Sequence, residues 1–302
     1  MNKINYTIII PHKNIPNLLQ RCLDSIPYRD DIQVIIVDDN SDSAVVDFVQ
    51  FPGIERIDTE VYFTKEGKGA GYARNIGLQH AKGKWLIFAD ADDFFLPSFN
   101  EALDEYKDNN NDVIYFHKVT ISDSNSFMSF VDTNKSLSKV RKTNNWNHAI
   151  TSPLTPWRKI IKHAFIIEYN IIFQESLWAN DVFFSIKLAV YSTKKIISDF
   201  NIYCHVINRH ESLMGHHTIE SLCIRHQIHM DAFVYLKNID KIIYSPPDFW
   251  FFWWIKLLRV DMLLAISLLP KMIKTCGLWY PFIGMSKITA KRLKLIFINK
   301  RV

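Results

Sequence analysis

A chain of 302 residues that is 48% apolar and holds only nine glycines can bury a substantial core, which excludes a disordered or fibrous protein. Its four cysteines (Cys22, Cys204, Cys223, Cys276) lack paired spacing, which argues against a zinc site or disulfide framework and for a reducing compartment. The net charge of +5 is unevenly held, because from Ser245 to Val302 ten Lys and Arg face two Asp.

The first residues, Met-Asn-Lys-Ile-Asn-Tyr, lack the apolar core of a signal peptide, so a cytoplasmic location is expected. Tyr6 to Ile10 is an apolar run stopped by Pro11 and reads as a buried strand. Leu18, Leu19, Cys22, Leu23 and Ile26 then fall at helical spacing, and Gln33 to Val37 is a second apolar run ending in Asp38-Asp39-Asn40-Ser41. Strand, helix and strand in that order predict a right-handed βαβ unit in a parallel sheet, whose ligands collect at the carboxyl ends of the strands. Pro11, Asp39 and their neighbours would lie on that edge. Gly67-Lys68-Gly69-Ala70-Gly71 leads into a helix carrying Arg74, an arrangement able to approach a phosphate.

Trp85 to Ala89 is a third apolar run, and three carboxylates follow it, Asp90, Asp92 and Asp93. Three such charges repel one another, and a hard cation such as Mg²⁺ or Mn²⁺ removes the penalty. Solvated aspartates in a turn or at a helix N-cap produce the same pattern. Pro97 to Asn109 reads as a helix and Val113 to Phe116 as a strand.

Four fragments in this order resemble the family 2 inverting glycosyltransferases of the GT-A fold. They are Ile-Ile-Ile-Pro-His-Lys-Asn, Val-Asp-Asp-Asn-Ser, Ala-Arg-Asn-Ile-Gly-Leu and Asp-Ala-Asp-Asp. The resemblance implies an α/β fold, a mostly parallel Rossmann-like sheet flanked by helices, with a helical C-terminal extension. It implies that a nucleotide sugar, usually a UDP-sugar, lies against Pro11, Asp39, Arg74, Asp90 and Asp92, with Asp39 accepting a hydrogen bond from the base. Asp92 and Asp93 would carry Mn²⁺ or Mg²⁺ on the diphosphate. Asp38 is expected to support or cap its neighbour.

Ser122 to Asn147 is polar and reads as a loop, and Trp157-Arg158-Lys159-Ile160-Ile161-Lys162 is expected to open a helix through Ile167. Phe173-Gln174-Glu175 and Asn180-Asp181, before an apolar helix, resemble the family's Phe-x-Glu and Glu-Asp elements. The resemblance makes Asp181 the general base that takes the acceptor's proton, while Asn180 departs from the family's Glu. On the residues alone, Asp181 could equally be the N-cap of that helix. Arg209-His210-Glu211-Ser212 is similar to a family stretch that supplies a metal ligand or phosphate contact, which makes His210 a candidate. The histidines at His216-His217 and His226-x-x-His229 lack the partners of a zinc set.

The tail opens with Phe249-Trp250-Phe251-Phe252-Trp253-Trp254 and has no apolar stretch long enough to span a bilayer. Aromatic rings beside Lys and Arg suit a peripheral contact with the inner face of a membrane, and a helical pair packed as core is the other reading. The aromatics form one apolar block rather than alternating with charge, so no nucleic-acid binding is expected. Three regions are therefore expected: a nucleotide-sugar-binding half over 1–120, an acceptor and catalytic-base half over 121–244, and a basic extension over 245–302. The function implied is metal-dependent inverting transfer from a nucleotide sugar to a saccharide or lipid-linked saccharide acceptor in cell-surface polysaccharide synthesis. The alternative is a nucleotide-sugar-binding or scaffolding relative without turnover, motivated by Asn180.

Overall fold

Residues 3–122, 135–150, 154–207, 218–241 and 248–277 are described by the structure, a computed structural model. His210 and His216-His217 lie outside these residues. The chain divides into two units, Met1–Gly215 and His216–Val302.

In the first unit the chain runs β1 (Tyr6–His12), α1 (Pro16–Asp24), β2 (Ile32–Asp39), β3 (Thr59–Thr64), α2 (Ala70–His80), β4 (Trp85–Phe88) and β5 (Phe94–Phe95). It continues as α3 (Ser98–Tyr106), β6 (Val113–Ser122), α4 (Lys135–Thr143), a 3-10 turn at Trp146–Ala149, β7 (Lys159–Lys162), α5 (His163–Glu168), α6 (Val182–Tyr191) and β8 (Lys195–Ile207). Among the described residues the eight strands form one sheet in the order β3-β2-β1-β4-β7-β6-β8-β5. The first four are mutually parallel, as the βαβ pattern predicts. Beyond them the sheet is mixed, with β7 antiparallel to both β4 and β6.

The unbroken apolar runs follow from burial on both faces. Ile8, Ile10, Val34, Ile36 and Ile87 point into a core shared with Leu19 and Leu23 of α1 and Phe99 and Leu103 of α3. The alternate residues Ile9, Ile35, Val37, Leu86 and Phe88 pack with Ala73 of α2, Phe165 of α5 and Phe184 of α6. Helix α2 lies so close to β1 that a Cβ at Gly77 would stand 2.4 Å from the Ile9 side chain.

Two expectations are corrected. Lys159–Lys162 is a strand rather than the start of a helix, because Ile160 and Ile161 fill the antiparallel slot between β4 and β6. The polar stretch 122–147 contains α4, a helix with Leu137 and Val140 buried three residues apart on one face. Residues 123–134 of that stretch lie outside the described residues.

The second unit contains α7 (Ile219–Asn238), α8 (Asp248–Val260), α9 (Met262–Ser267) and α10 (Leu269–Cys276). Leu222, Met230 and Phe233 of α7 share one core with Phe251, Trp254 and Leu257 of α8, which is why this unit begins well before residue 245. His226 and His229 are buried in α7, and burial pushes the His229 imidazole down to about 4. His229 Nδ1 lies 2.7 Å from the Arg225 carbonyl, one helical turn back, so it donates there. Part of the aromatic block expected to face a membrane is also interior. Phe251 is fully buried, and the Trp254 indole donates to the Ala265 carbonyl at 2.8 Å. The side chains of Phe249 and Trp250 lie outside those described.

Candidate active site

The carboxyl ends of β1, β2 and β4 share one edge of the sheet, and each carboxylate there has a different environment. Asp38 and Asp39 are consecutive in a strand, so their side chains point to opposite faces. Asp38 turns to β1. The Ile15 amide donates to His12 Nε2 at 3.1 Å, which leaves the ring proton on Nδ1 to donate to Asp38 Oδ1 at 2.7 Å. The amide and hydroxyl of Ser41 also donate to Asp38. Burial would raise the Asp38 carboxyl, but the His12 and Ser41 hydrogen bonds outweigh it and hold the group below the ordinary range. Asp38 is thus consumed in shaping the strand ends. Asp39 differs: its Oδ2 accepts the Gly69 amide at 2.7 Å, while its buried Oδ1 has no hydrogen-bond partner.

Gly69, at φ +93°, turns the chain into α2 and sets the height of that amide. Helix α2 then presents Arg74 to the same edge. The guanidinium is buried, its Nη2 donating to Asp90 Oδ1 at 2.5 Å and its Nη1 to Asn180 Oδ1 at 2.9 Å. Asn75 faces the other way and clamps the backbone of Phe173, accepting its amide at 2.9 Å and donating to its carbonyl at 3.0 Å. At Gly71 a Cβ would sit 2.0 Å from the Gln174 carbonyl oxygen, so only glycine lets the 173–180 segment approach α2 this closely. Asn75→Ala should leave the two buried Phe173 backbone groups without partners. Its expected cost is roughly 2–4 kcal/mol, read as a lowered denaturant midpoint, with loss of activity as the 173–180 segment loosens.

Asp90, Asp92 and Asp93 occupy the tight turn after β4. One oxygen of each lies within 4.8 Å of the others, and among the described residues they are the group of three able to hold a metal ion. The turn is pinned from several sides. The Asp90 amide donates to the Tyr203 hydroxyl at 2.9 Å, Arg21 reaches the Asp92 carbonyl at 2.5 Å, and the Val206 amide donates to Asp93 Oδ1 at 2.8 Å. Asp93 is 1% exposed. Burial first, then repulsion from Asp90 and Asp92, drives its carboxyl well above the ordinary range, against the pull of the Val206 amide. Its Oδ2 is buried without a hydrogen-bond partner. A divalent cation fits this set of oxygens, since it would supply what that atom lacks and relieve the repulsion.

Asp181 stands at the start of α6, but its side chain makes no capping hydrogen bond. The helix therefore does not use it. Burial raises the Asp181 carboxyl, with Arg74 pulling it down, Asp90 pushing it up and Lys159 pulling it down less strongly. Lys159 is itself enclosed, and burial followed by the nearby Arg158 charge lowers its ammonium to about 7. Asn180 keeps a hydrogen-bond acceptor for Arg74 without adding another negative charge beside Asp181.

Of the residues singled out from sequence, Arg74 and Asp90 are bonded to each other, with Asp181 close enough to feel both charges. Asp39 lies at the end of β2, and Pro11 is buried in β1 opposite Val37. His210 is outside the described residues. The sequence carried no signal for Asn75, Tyr203 or Arg21 as supports of the site, because each reaches a partner at least 71 residues away.

A family model described as glycosyl transferase family 2 matches residues 7–178. Glycosyltransferase GlyA of Streptococcus pneumoniae is 33% identical over 101 residues, which cover 32% of this chain and 14% of GlyA. The uncharacterized glycosyltransferase EpsJ of Bacillus subtilis is 25% identical over 179 residues, 57% of this chain and 52% of EpsJ. A poly(ribitol-phosphate) beta-glucosyltransferase of Bacillus spizizenii is 31% identical over 93 residues, 29% of this chain and 15% of that protein. The match thus spans about half or less of these relatives' own length. Among solved structures, residues 1–349 of S. aureus TarS in complex with UDP-GlcNAc superpose with a TM-score of 0.61 at 20% identity, covering 76% of this chain and 67% of that one. That likeness is one of fold.

Proposed function

The chain belongs to glycosyl transferase family 2 and has the GT-A type of fold, and from that premise we propose that it moves a sugar from a UDP-sugar to an acceptor hydroxyl with inversion at the anomeric carbon. The observation that carries the proposal is Asp181, a carboxylate of raised pKa that caps no helix and lies within electrostatic reach of Arg74 and Asp90.

Each residue then has a distinct task. Asp39 Oδ1, buried and without a partner, is suited to accept a ring N–H of the base, and the UDP-GlcNAc bound to the TarS neighbour supports uracil. Arg74, fixed by Asp90 and Asn180, holds a planar positive charge where the diphosphate departs. Pro11 and Asp90 bound the same nucleotide-sugar pocket. Asp92 and Asp93 would hold Mn²⁺ or Mg²⁺, which when bound neutralises charge on the leaving diphosphate. His210 is proposed as a further ligand. Asp181 takes the proton of the acceptor hydroxyl, and its raised pKa makes it a better proton acceptor than an ordinary aspartate. A single displacement with one base and no covalent intermediate inverts the anomeric centre.

The proposed acceptor is a saccharide or lipid-linked saccharide of a cell-surface polysaccharide, in keeping with the poly(ribitol-phosphate) beta-glucosyltransferase among the relatives. A lipid-linked acceptor would bring the chain to the inner face of a membrane. A binding or scaffolding protein without turnover would need no uncapped base beside Arg74. Incubating the protein with a panel of UDP-sugars and Mn²⁺ tests the reading. Release of UDP from at least one donor, together with a Mn²⁺-dependent rise in melting temperature, is expected. A rise without UDP release would favour the scaffolding alternative, and neither effect would overturn the donor assignment.

A further inference from the structure

The C-terminal unit inverts the usual choice of what to bury. In α9 the small Ala265 is fully enclosed under Trp254. The large side chains of the same helix face out: Met262 is 59% exposed, Leu263 77% and Ile266 46%. Val260, which ends α8 just before them, is 55% exposed. Met262, Leu263 and Ile266 recur at helical spacing on one face, so with Val260 they make a single apolar tip. Isolated apolar side chains on a surface are ordinary, but four within seven residues form a patch of the kind that marks an interaction site.

The charge around the tip is predominantly positive. Arg259 precedes it, and Lys271 and Lys274 of α10 follow it, all three exposed. The one acid within the tip, Asp261, is occupied as the N-cap of α9, accepting the Leu264 amide at 2.9 Å. From residue 245 onward only Asp248 and Asp261 offset ten basic residues. A second copy of the chain would bring like charges together at this patch. A bilayer bearing anionic headgroups satisfies both parts, offering apolar depth to the tip and phosphates to its flanks. Among the described residues no helix is long and apolar enough to cross a membrane, so the contact would lie on the surface.

We propose that Val260, Met262, Leu263 and Ile266 enter the interface of an anionic bilayer while Arg259 and Lys274 meet its phosphates. The surface is formed by α8–α10 alone and does not depend on the transfer reaction. It also reassigns the contact from the aromatic block, two rings of which are core, to the turn that follows it.

Co-sedimentation of the full chain with vesicles tests the assignment, comparing phosphatidylglycerol–phosphatidylcholine mixtures with phosphatidylcholine alone. Wild type should pellet with the anionic vesicles. Met262→Ser combined with Leu263→Ser should weaken binding about tenfold or more. Arg259→Glu combined with Lys274→Glu should weaken binding to anionic vesicles by roughly fivefold per residue and reduce its salt sensitivity. Both variants should keep the wild-type circular dichroism and melting temperature, since the replaced side chains are exposed. If the serine variant does not fold, the charge-reversed one decides alone. The proposal is overturned if wild type stays in the supernatant, or if the folded variants pellet as wild type does. It is also overturned if light scattering shows a dimer that the serine variant dissolves while vesicles are ignored.

Discussion

Asp181→Asn should lower transfer by about 10²–10⁴-fold, the usual contribution of a general base, while donor affinity changes little. The two side chains are nearly isosteric, and the wild-type carboxylate makes no capping hydrogen bond that the amide could lose, so α6 should form unchanged. Asp181 is half-buried, and removing its partly desolvated charge should leave the variant melting close to wild type. The pH profile adds a second reading. The base works only when ionised, and the folded protein raises its pKa, so activity should rise with pH through a value above the ordinary aspartate pKa of about 3.9. In the variant that acid limb should disappear from the residual rate. A variant with the wild-type rate and profile would make Asp181 a bystander.

Asp92→Asn and Asp93→Asn should each remove several kcal/mol of transition-state stabilisation, about 10³-fold or more in rate, and excess EDTA should do the same to wild type. Stability distinguishes this from simple damage. In Asp93→Asn the amide oxygen can still accept the Val206 amide, and the repulsion that Asp93 shares with Asp90 and Asp92 is gone. The metal-free variant should therefore melt at or above the wild-type temperature. What it should lose is the rise produced by Mn²⁺, which for a site at 100 times its dissociation constant is worth about 2.7 kcal/mol. A wild type that turns over normally in EDTA would remove the metal from the account.

The parts legible in the sequence are those decided locally. Continuous apolar runs between turn residues marked β1, β2 and β4, because strands buried on both faces need no polar alternation. The carboxylates stood where those runs stopped, so their shared edge followed from the parallel topology. What escaped notice depends on distant chain. Lys159–Lys162 becomes a strand through antiparallel partners more than 40 residues away in sequence, and four residues carry too little pattern to announce it. Asn75 lies inside a recognised fragment, yet its task is to hold Phe173, 98 residues on. Only the resemblance ranked Asp39 above Asp38; the physical ground for it, the bonds from His12 to Asp38 and from Gly69 to Asp39, lies in the fold. The aromatic block of the tail left two readings open for a related reason. Composition records that rings and charges are neighbours in sequence, but only the fold decides that Trp254 is inside and Leu263 outside.

The most direct test of the account reads stereochemistry rather than rate. With an α-linked UDP-sugar that the protein turns over, proton NMR can follow the anomeric signal of the sugar as it is released to water or to an acceptor, before mutarotation. A single displacement assisted by Asp181 predicts that the β-anomer forms first, and that its formation slows by the stated factor in Asp181→Asn. An α-anomer formed first would contradict the account, since it requires a second displacement or a different chemistry at this site.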